Sequence, residues 1–99
     1  MQEILNCIEE EYRTITLERL SEKFYLSVPY LSKYIKEKSG KTFSEILTDV
    51  RMTHACVLLE TEGLPVEQAA RRAGYPSVEH FSRQFKKRYG QPPAAWRNQ

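Results

Sequence analysis

The chain has 99 residues, 40% of them apolar, and a formal net charge of +2, enough for one domain, or two very small subdomains sharing a connection, around a modest core. That size leaves little room for a large active-site cleft, and so small a net charge does not by itself announce a nucleic-acid partner. Cys7 and Cys56 lie far apart with no C-x-x-C pair, so neither a zinc knuckle nor a disulfide scaffold is indicated and a reducing compartment is expected.

The opening stretch MQEILNCIEEEY lacks a basic segment followed by an apolar run, and no later stretch has enough consecutive apolar residues to cross a bilayer. A soluble, cytoplasmic protein with no membrane partner is expected. Helices are predicted near 2–12 and 17–24, then over 28–38, where Ser27 is a good N-cap. Thr42 and Glu45 form a capping box ahead of a long helix, 43–61, whose first half carries the apolar stripe Phe43, Ile46, Leu47 and Val50. Further on, Met52, Ala55, Cys56 and Leu59 lie opposite Val57, which predicts a second half enclosed nearly all round. Pro65 suits a first helical position for a helix over 66–73. Ser77 caps a helix over 78–89, and a short helix starts at 93. Gly40, Gly63, Gly74 and Gly90 suit left-handed positions past helix ends. Strand signals are almost lacking, so the predicted fold is all-α, about seven helices.

Two of these segments are copies. SVPYLSKYIKEKSG (27–40) and SVEHFSRQFKKRYG (77–90) share Ser, Val, Ser, Lys and Gly, and exchange like for like at Leu31/Phe81, Lys33/Arg83, Ile35/Phe85 and Lys38/Arg88. The preceding TLERLSEKFYL (16–26) and PVEQAARRAGY (65–75) are both short amphipathic helices, with one extra residue, Pro76, in the second copy. An internal repeat of helix pairs organises the chain. The charge is organised with it: residues 27–43 carry +3 and residues 77–97 carry +4, leaving −5 on the rest. The chain divides into subdomain 1 (about 1–41), a linker helix (about 42–62) and subdomain 2 (about 63–99).

A short helix, a tight turn and a second, basic helix match the helix-turn-helix plan, in which the second helix enters a major groove of DNA with its N-terminal residues against base edges. In the second copy the exposed positions are Glu79, His80, Ser82, Arg83 and Lys86. Arg83 can offer two hydrogen bonds to guanine, Ser82 can serve base or phosphate, and Glu79 can accept from a cytosine amino group. The first copy has Pro29, Tyr30, Ser32, Lys33 and Lys36 there. Pro29 offers only apolar contact, for instance with a thymine methyl, and Lys33 lacks the planar fork of arginine, so weaker discrimination is expected. The predicted linker, about 28 Å long at about 1.5 Å per residue, approaches the roughly 34 Å between successive major-groove faces.

The run GYPSVEHFSRQFKKRYGQPPAAWR resembles the C-terminal signature of the AraC/XylS family of bacterial transcription regulators, and LSVPYLSKYIKEKSGKTFSEIL with VRMTHACVLLE resembles that family's first recognition helix and linker. The likeness covers nearly the whole chain. It implies two helix-turn-helix units reading adjacent major-groove segments of double-stranded DNA, with base contacts on Pro29, Ser32, Lys33, Glu79, His80, Ser82 and Arg83. Backbone contacts are expected from Tyr30, Lys36, Lys41, Lys86, Lys87 and Arg97. Helix N-termini after Gly40 and Gly90 are natural phosphate seats. Thr42, Phe43 and Ser44 are expected to keep their donors at the first; Pro92 and Pro93 have none at the second, which then relies on Ala94, Gln91 and Arg97. The chain departs from the family at Pro29, at Lys33, where Arg is commoner, and at GQPP, where the family has Gly-x-Thr-Pro. RNA polymerase is a second candidate partner. Family members commonly carry a sensing or dimerising domain, and this chain has no room for one.

Plainer readings stand beside these. Lys36, Lys38, Lys86, Lys87 and Arg88 also fit solvated faces and cations favoured near helix C-termini, and Glu79 fits an acid favoured at the positive end of the helix dipole. Arg51 reads as a structural ion-pair residue, and Leu31, Ile35, Phe81, Phe85, Tyr89 and Trp96 as core. His54 and Cys56 face apart, which argues against a metal pair, and both cysteines read as buried small apolar residues. No catalytic set can be assembled, and no cofactor is expected. The rival to DNA binding is an interaction module whose basic faces hold RNA or an acidic protein.

Overall fold

The computed structural model describes residues 1–98, which form α1 (Gln2–Glu10), α2 (Leu17–Lys23), α3 (Val28–Ser39), α4 (Phe43–Glu60), α5 (Val66–Arg72), α6 (Val78–Tyr89) and α7 (Pro93–Arg97), with no strand among them. The chain folds as two compact units, one of Met1–Val50 and one beginning at Arg51, so the division falls inside α4.

Each unit is closed by its own apolar cluster. In the first, Ile4, Cys7 and Ile8 of α1, Ile15, Leu20 of α2, Leu31 and Ile35 of α3, and Ile46 and Leu47 of α4 are buried together. In the second, Met52, Ala55, Leu58 and Leu59 of α4 pack with Ala69 and Ala70 of α5, Ala73, Tyr75, and Phe81 and Phe85 of α6. Phe81 and Phe85 are fully buried, and truncating either to Ala costs about 3–5 kcal/mol on the usual scale for core aromatics. The alanines of α5 face these large rings, whereas Leu20 faces the smaller Leu31 and Ile35. The two cores therefore balance side-chain volume differently at matching positions.

The repeat is deeper than the matched helix pairs. The buried positions Ile4, Cys7 and Ile8 recur as Ala55, Leu58 and Leu59, Leu20 and Ser21 as Ala69 and Ala70, and Leu31 and Ile35 as Phe81 and Phe85. Hence α1, α2, α3 and the start of α4 correspond to the end of α4, α5, α6 and α7. The long helix is the last helix of one copy fused to the first helix of the next.

The caps explain where the helices start and stop. Ser27 and Ser77 accept from the backbone N–H groups of Tyr30 and His80, each at 3.2 Å, and Gly40 and Gly90 close α3 and α6 in the left-handed region. Pro65 differs from expectation: it is the N-cap of α5, with extended ψ, and Val66 is the first helical residue. Val57 also departs. It is 47% exposed, so the second half of α4 buries one face and is not enclosed all round. Cys7 is buried as expected, while Cys56 is only half-buried at the edge of its core.

Candidate nucleic-acid interface

In both units the turn before the basic helix is built from the same pair of backbone bonds. Leu26 N–H donates to the Ser21 carbonyl (2.9 Å) and Tyr25 N–H to that of Glu22 (3.4 Å); Tyr75 N–H donates to Ala70 (3.0 Å) and Gly74 N–H to Arg71 (3.1 Å). This double closure needs a left-handed residue past the helix end. Gly74 supplies it at φ 101°, and Tyr25 supplies it at φ 56°. A few bonds further on, the serine cap starts the next helix, so turn and cap together set the first turn of α3 and of α6.

With Leu31, Ile35, Phe81 and Phe85 turned inward, the opposite faces are exposed. On α3 these are Pro29, Tyr30, Ser32, Lys33 and Lys36; on α6 they are Glu79, His80, Arg83, Lys86 and Lys87, with Ser82 half-buried. The structure thus brings the expected side chains together within each unit. The last turns carry Lys36 and Lys38, and Lys86, Lys87 and Arg88, where cations answer the negative end of the helix dipole. Lys36 Nζ also donates to the Gly40 carbonyl at 3.1 Å.

The two faces differ in what holds their polar groups. His80 lies edge-on to the buried Tyr75 ring, with centroids 5.4 Å apart, and the Arg51 guanidinium sits over the same ring at 5.7 Å. Burial pushes the Tyr75 hydroxyl pKa up, and the facing Arg51 acts against that. On α3, Tyr30 instead stacks on Tyr34 with centroids 6.3 Å apart. Lys33 pairs with Glu37 at 3.9 Å. At the matching place α6 has Lys87, so no acid sits one turn below Arg83.

Three expected backbone contacts have other engagements. Lys41 is bound to Asp49 at 2.7 Å, and half-buried Arg97 donates to the Leu64 carbonyl, tying α7 to the segment before α5. Thr42 does not keep its donor. Its N–H donates to the Glu45 carboxylate at 2.9 Å while its Oγ1 accepts from Glu45 N–H at 3.1 Å. These bonds from Thr42, backbone first, hold the Glu45 carboxyl below the ordinary carboxylate range. A carboxylate therefore occupies part of the seat expected for phosphate, leaving Phe43 and Ser44. At α7, Pro92 is the N-cap and Pro93 the first helical residue; Gln91 is half-buried and Ala94 exposed beside them.

Sequence reasoning missed Tyr25, Glu37, Asp49 and the double role of Tyr75. The i,i+4 spacing of Lys33 and Glu37 was the one readable signal among these. Among the described residues no cluster of His, Cys, Asp and Glu could hold a metal ion, and no helix is long and apolar enough to cross a membrane.

The helix-turn-helix domain family matches residues 20–99. The transcriptional regulator YijO of Escherichia coli is 32% identical over 97 residues, which cover 97% of this chain and 34% of that protein. The C-terminal domain of AraT, a response regulator from Geobacillus stearothermophilus, superposes with a TM-score of 0.93 at 34% identity, covering 98% of this chain and 82% of that one. The DNA-binding domain of the transcriptional factor AdpA, solved with a target DNA, gives a TM-score of 0.90 at 26% identity, covering 98% and 88%. The chain spans about a third of the length of the curated relatives it matches.

Proposed function

Because this chain belongs to the AraC-type helix-turn-helix family, we propose that it is the part of a transcription regulator that holds double-stranded DNA, with α3 and α6 as the two reading helices. The observation that carries this is the duplicated construction: a double-bonded turn, a serine cap and then an exposed basic face, made twice with matching residues. A single basic helix face is commonly a solvated surface. Two faces built by the same devices at the same positions indicate one ligand with a repeating surface, and the DNA bound by AdpA has that character.

In this reading Glu79, His80, Ser82 and Arg83 face base edges from α6, and Pro29, Ser32 and Lys33 face them from α3, in major-groove segments one helical turn apart. Lys36, Lys86, Lys87 and Tyr30 flank them against phosphates. Phe43 and Ser44 of α4, and Gln91 and Ala94 at α7, add backbone contacts. Lys41 and Arg97 contribute only so far as their bonds to Asp49 and Leu64 allow. Binding and positioning make up the proposed role, and no step of it requires catalysis or a cofactor.

Selection of bound duplexes from a random pool tests the reading. Two preferred half-sequences about one helical turn apart are expected. With the selected duplex, Arg83→Ala should cost about 1–3 kcal/mol and relax the preference at one base position, while Lys87→Ala should weaken all sequences alike. Equal losses for Arg83→Ala on selected and random duplex would remove base reading from Arg83. Binding that favours structured RNA or an acidic polypeptide over duplex at several salt concentrations would overturn the function itself.

A further inference from the structure

We infer that the first unit selects its half-site through the 5-methyl group of thymine, with Pro29 as the residue that reads it. The inference rests on the duplex-binding function proposed above and names the chemistry of one half of that site.

Pro29 is the second residue of α3, inside the first turn, and it is exposed. Residues at the start of a reading helix lie nearest the base edges. A proline side chain there has no donor or acceptor, so it distinguishes bases only by apolar contact. In the major groove the one apolar group on a base edge is the thymine methyl. The matching position on α6 is Glu79, a hydrogen-bonding side chain, so the two units are built to ask different chemical questions of the groove.

The neighbours of Pro29 do not supply an equally sharp alternative. Ser32 is exposed and carries a hydroxyl that both donates and accepts, which any base satisfies. Lys33 lies 3.9 Å from the Glu37 carboxylate, so a guanine must compete with a tethered acid for its ammonium group. The Tyr30 ring is stacked on Tyr34 along the helix flank. What remains at the leading edge of α3 is the pyrrolidine face.

The test replaces each thymine of the selected duplex singly by deoxyuridine, which deletes only the methyl group, and measures affinity at constant salt. Wild type, Pro29→Ser and Arg83→Ala are compared; serine suits a helix N-terminus, and circular dichroism melts confirm that each variant is folded. One or two thymines in a single half-site should each weaken wild-type binding about fourfold on losing the methyl group, the worth of one buried methyl-sized group. That sensitivity should vanish in Pro29→Ser and persist in Arg83→Ala. A uracil scan that is flat across that half-site, or a methyl effect that survives in Pro29→Ser, overturns the inference while leaving duplex binding intact. Failure to select any preferred duplex removes the function on which it rests, and the inference with it.

Discussion

Tyr25 occupies in the first unit the position that Gly74 occupies in the second: each is the left-handed residue closing the turn, at φ 56° and 101°, and each donates its N–H to the carbonyl three residues back. A left-handed conformation costs an L-residue roughly 1–2 kcal/mol that glycine does not incur, offset in part by glycine's greater freedom in the unfolded chain. Tyr25 recovers little by packing, since it is 94% exposed. Tyr25→Gly is therefore expected to stabilise the protein by about 0.5–1 kcal/mol, and Gly74→Ala to destabilise it by about 1 kcal/mol. Urea unfolding of both variants checks this; a destabilised Tyr25→Gly would show that the exposed ring makes a contact of real worth.

Why Tyr25 escaped notice in the sequence says what kind of information a sequence holds. The helices, serine caps and inward stripes were legible because each depends on neighbours within a turn or two, as at Ser27, Ser77, Phe81 and Phe85. Glycine announces a left-handed turn because it alone adopts one freely; tyrosine announces nothing, and its conformation here is imposed by the closure of α2 onto α3. Val57 illustrates the same limit from the other side. Its apolar character suggested enclosure, but α4 has one core to face over that stretch, and burying Met52, Ala55, Leu58 and Leu59 turns Val57 outward. Apart from half-buried Ser82, the exposed positions of α3 and α6 were legible, because the repeat marks them twice. The internal engagements of the site were not, since Lys41 with Asp49 and Arg97 with the Leu64 carbonyl depend on how elements meet in space.

Lys33 and Arg83 are counterparts, but only Lys33 has an acid one turn below it. Both members of that pair are well exposed, at 77% and 63% of their side chains, so the bond contributes little to stability. Its expected consequence is for ligand binding, where the Glu37 carboxylate would repel phosphate near Lys33. Glu37→Gln is expected to leave the melting temperature within about 1–2 °C of wild type, corresponding to a few tenths of a kcal/mol. Its affinity for selected and random duplexes should rise together by a few fold, leaving the preference between them unchanged. Parallel titrations on the two duplexes check this; a gain confined to the selected duplex would make Glu37 a specificity residue of another kind.

Arg97 has a structural engagement that Lys87 lacks. It is half-buried and donates to the Leu64 carbonyl, 33 residues earlier in the chain, so it fastens α7 to the segment preceding α5. Removing a charged donor from a part-buried carbonyl costs about 1–3 kcal/mol. Arg97→Ala is expected to lower stability by that amount, with any weakening of duplex binding recovered when the measurement is repeated well below the lowered melting temperature. Lys87→Ala should do the reverse, leaving stability within about 0.5 kcal/mol while binding weakens. Persistent loss of affinity in folded Arg97→Ala would restore this residue to the phosphate contacts.

The Thr42 and Glu45 box ties the start of α4 to pH. Glu45 accepts from Thr42 N–H, and its carboxyl pKa is lowered in the folded state by that bond, then by the Thr42 side chain, with Lys36 and Lys41 acting in the same direction. A carboxylate whose folded pKa lies below its unfolded value stabilises the fold fully above the unfolded value and loses that contribution as pH falls through the folded one. The melting temperature of wild type should thus exceed that of Glu45→Gln at pH 7, and the difference should close as the pH is taken below the ordinary carboxylate range. Glutamine still accepts a hydrogen bond, so the difference isolates the charge at the helix N-terminus. If the gap between wild type and Glu45→Gln stayed constant from pH 7 to pH 3, the charge of Glu45 would contribute nothing to holding α4 in place.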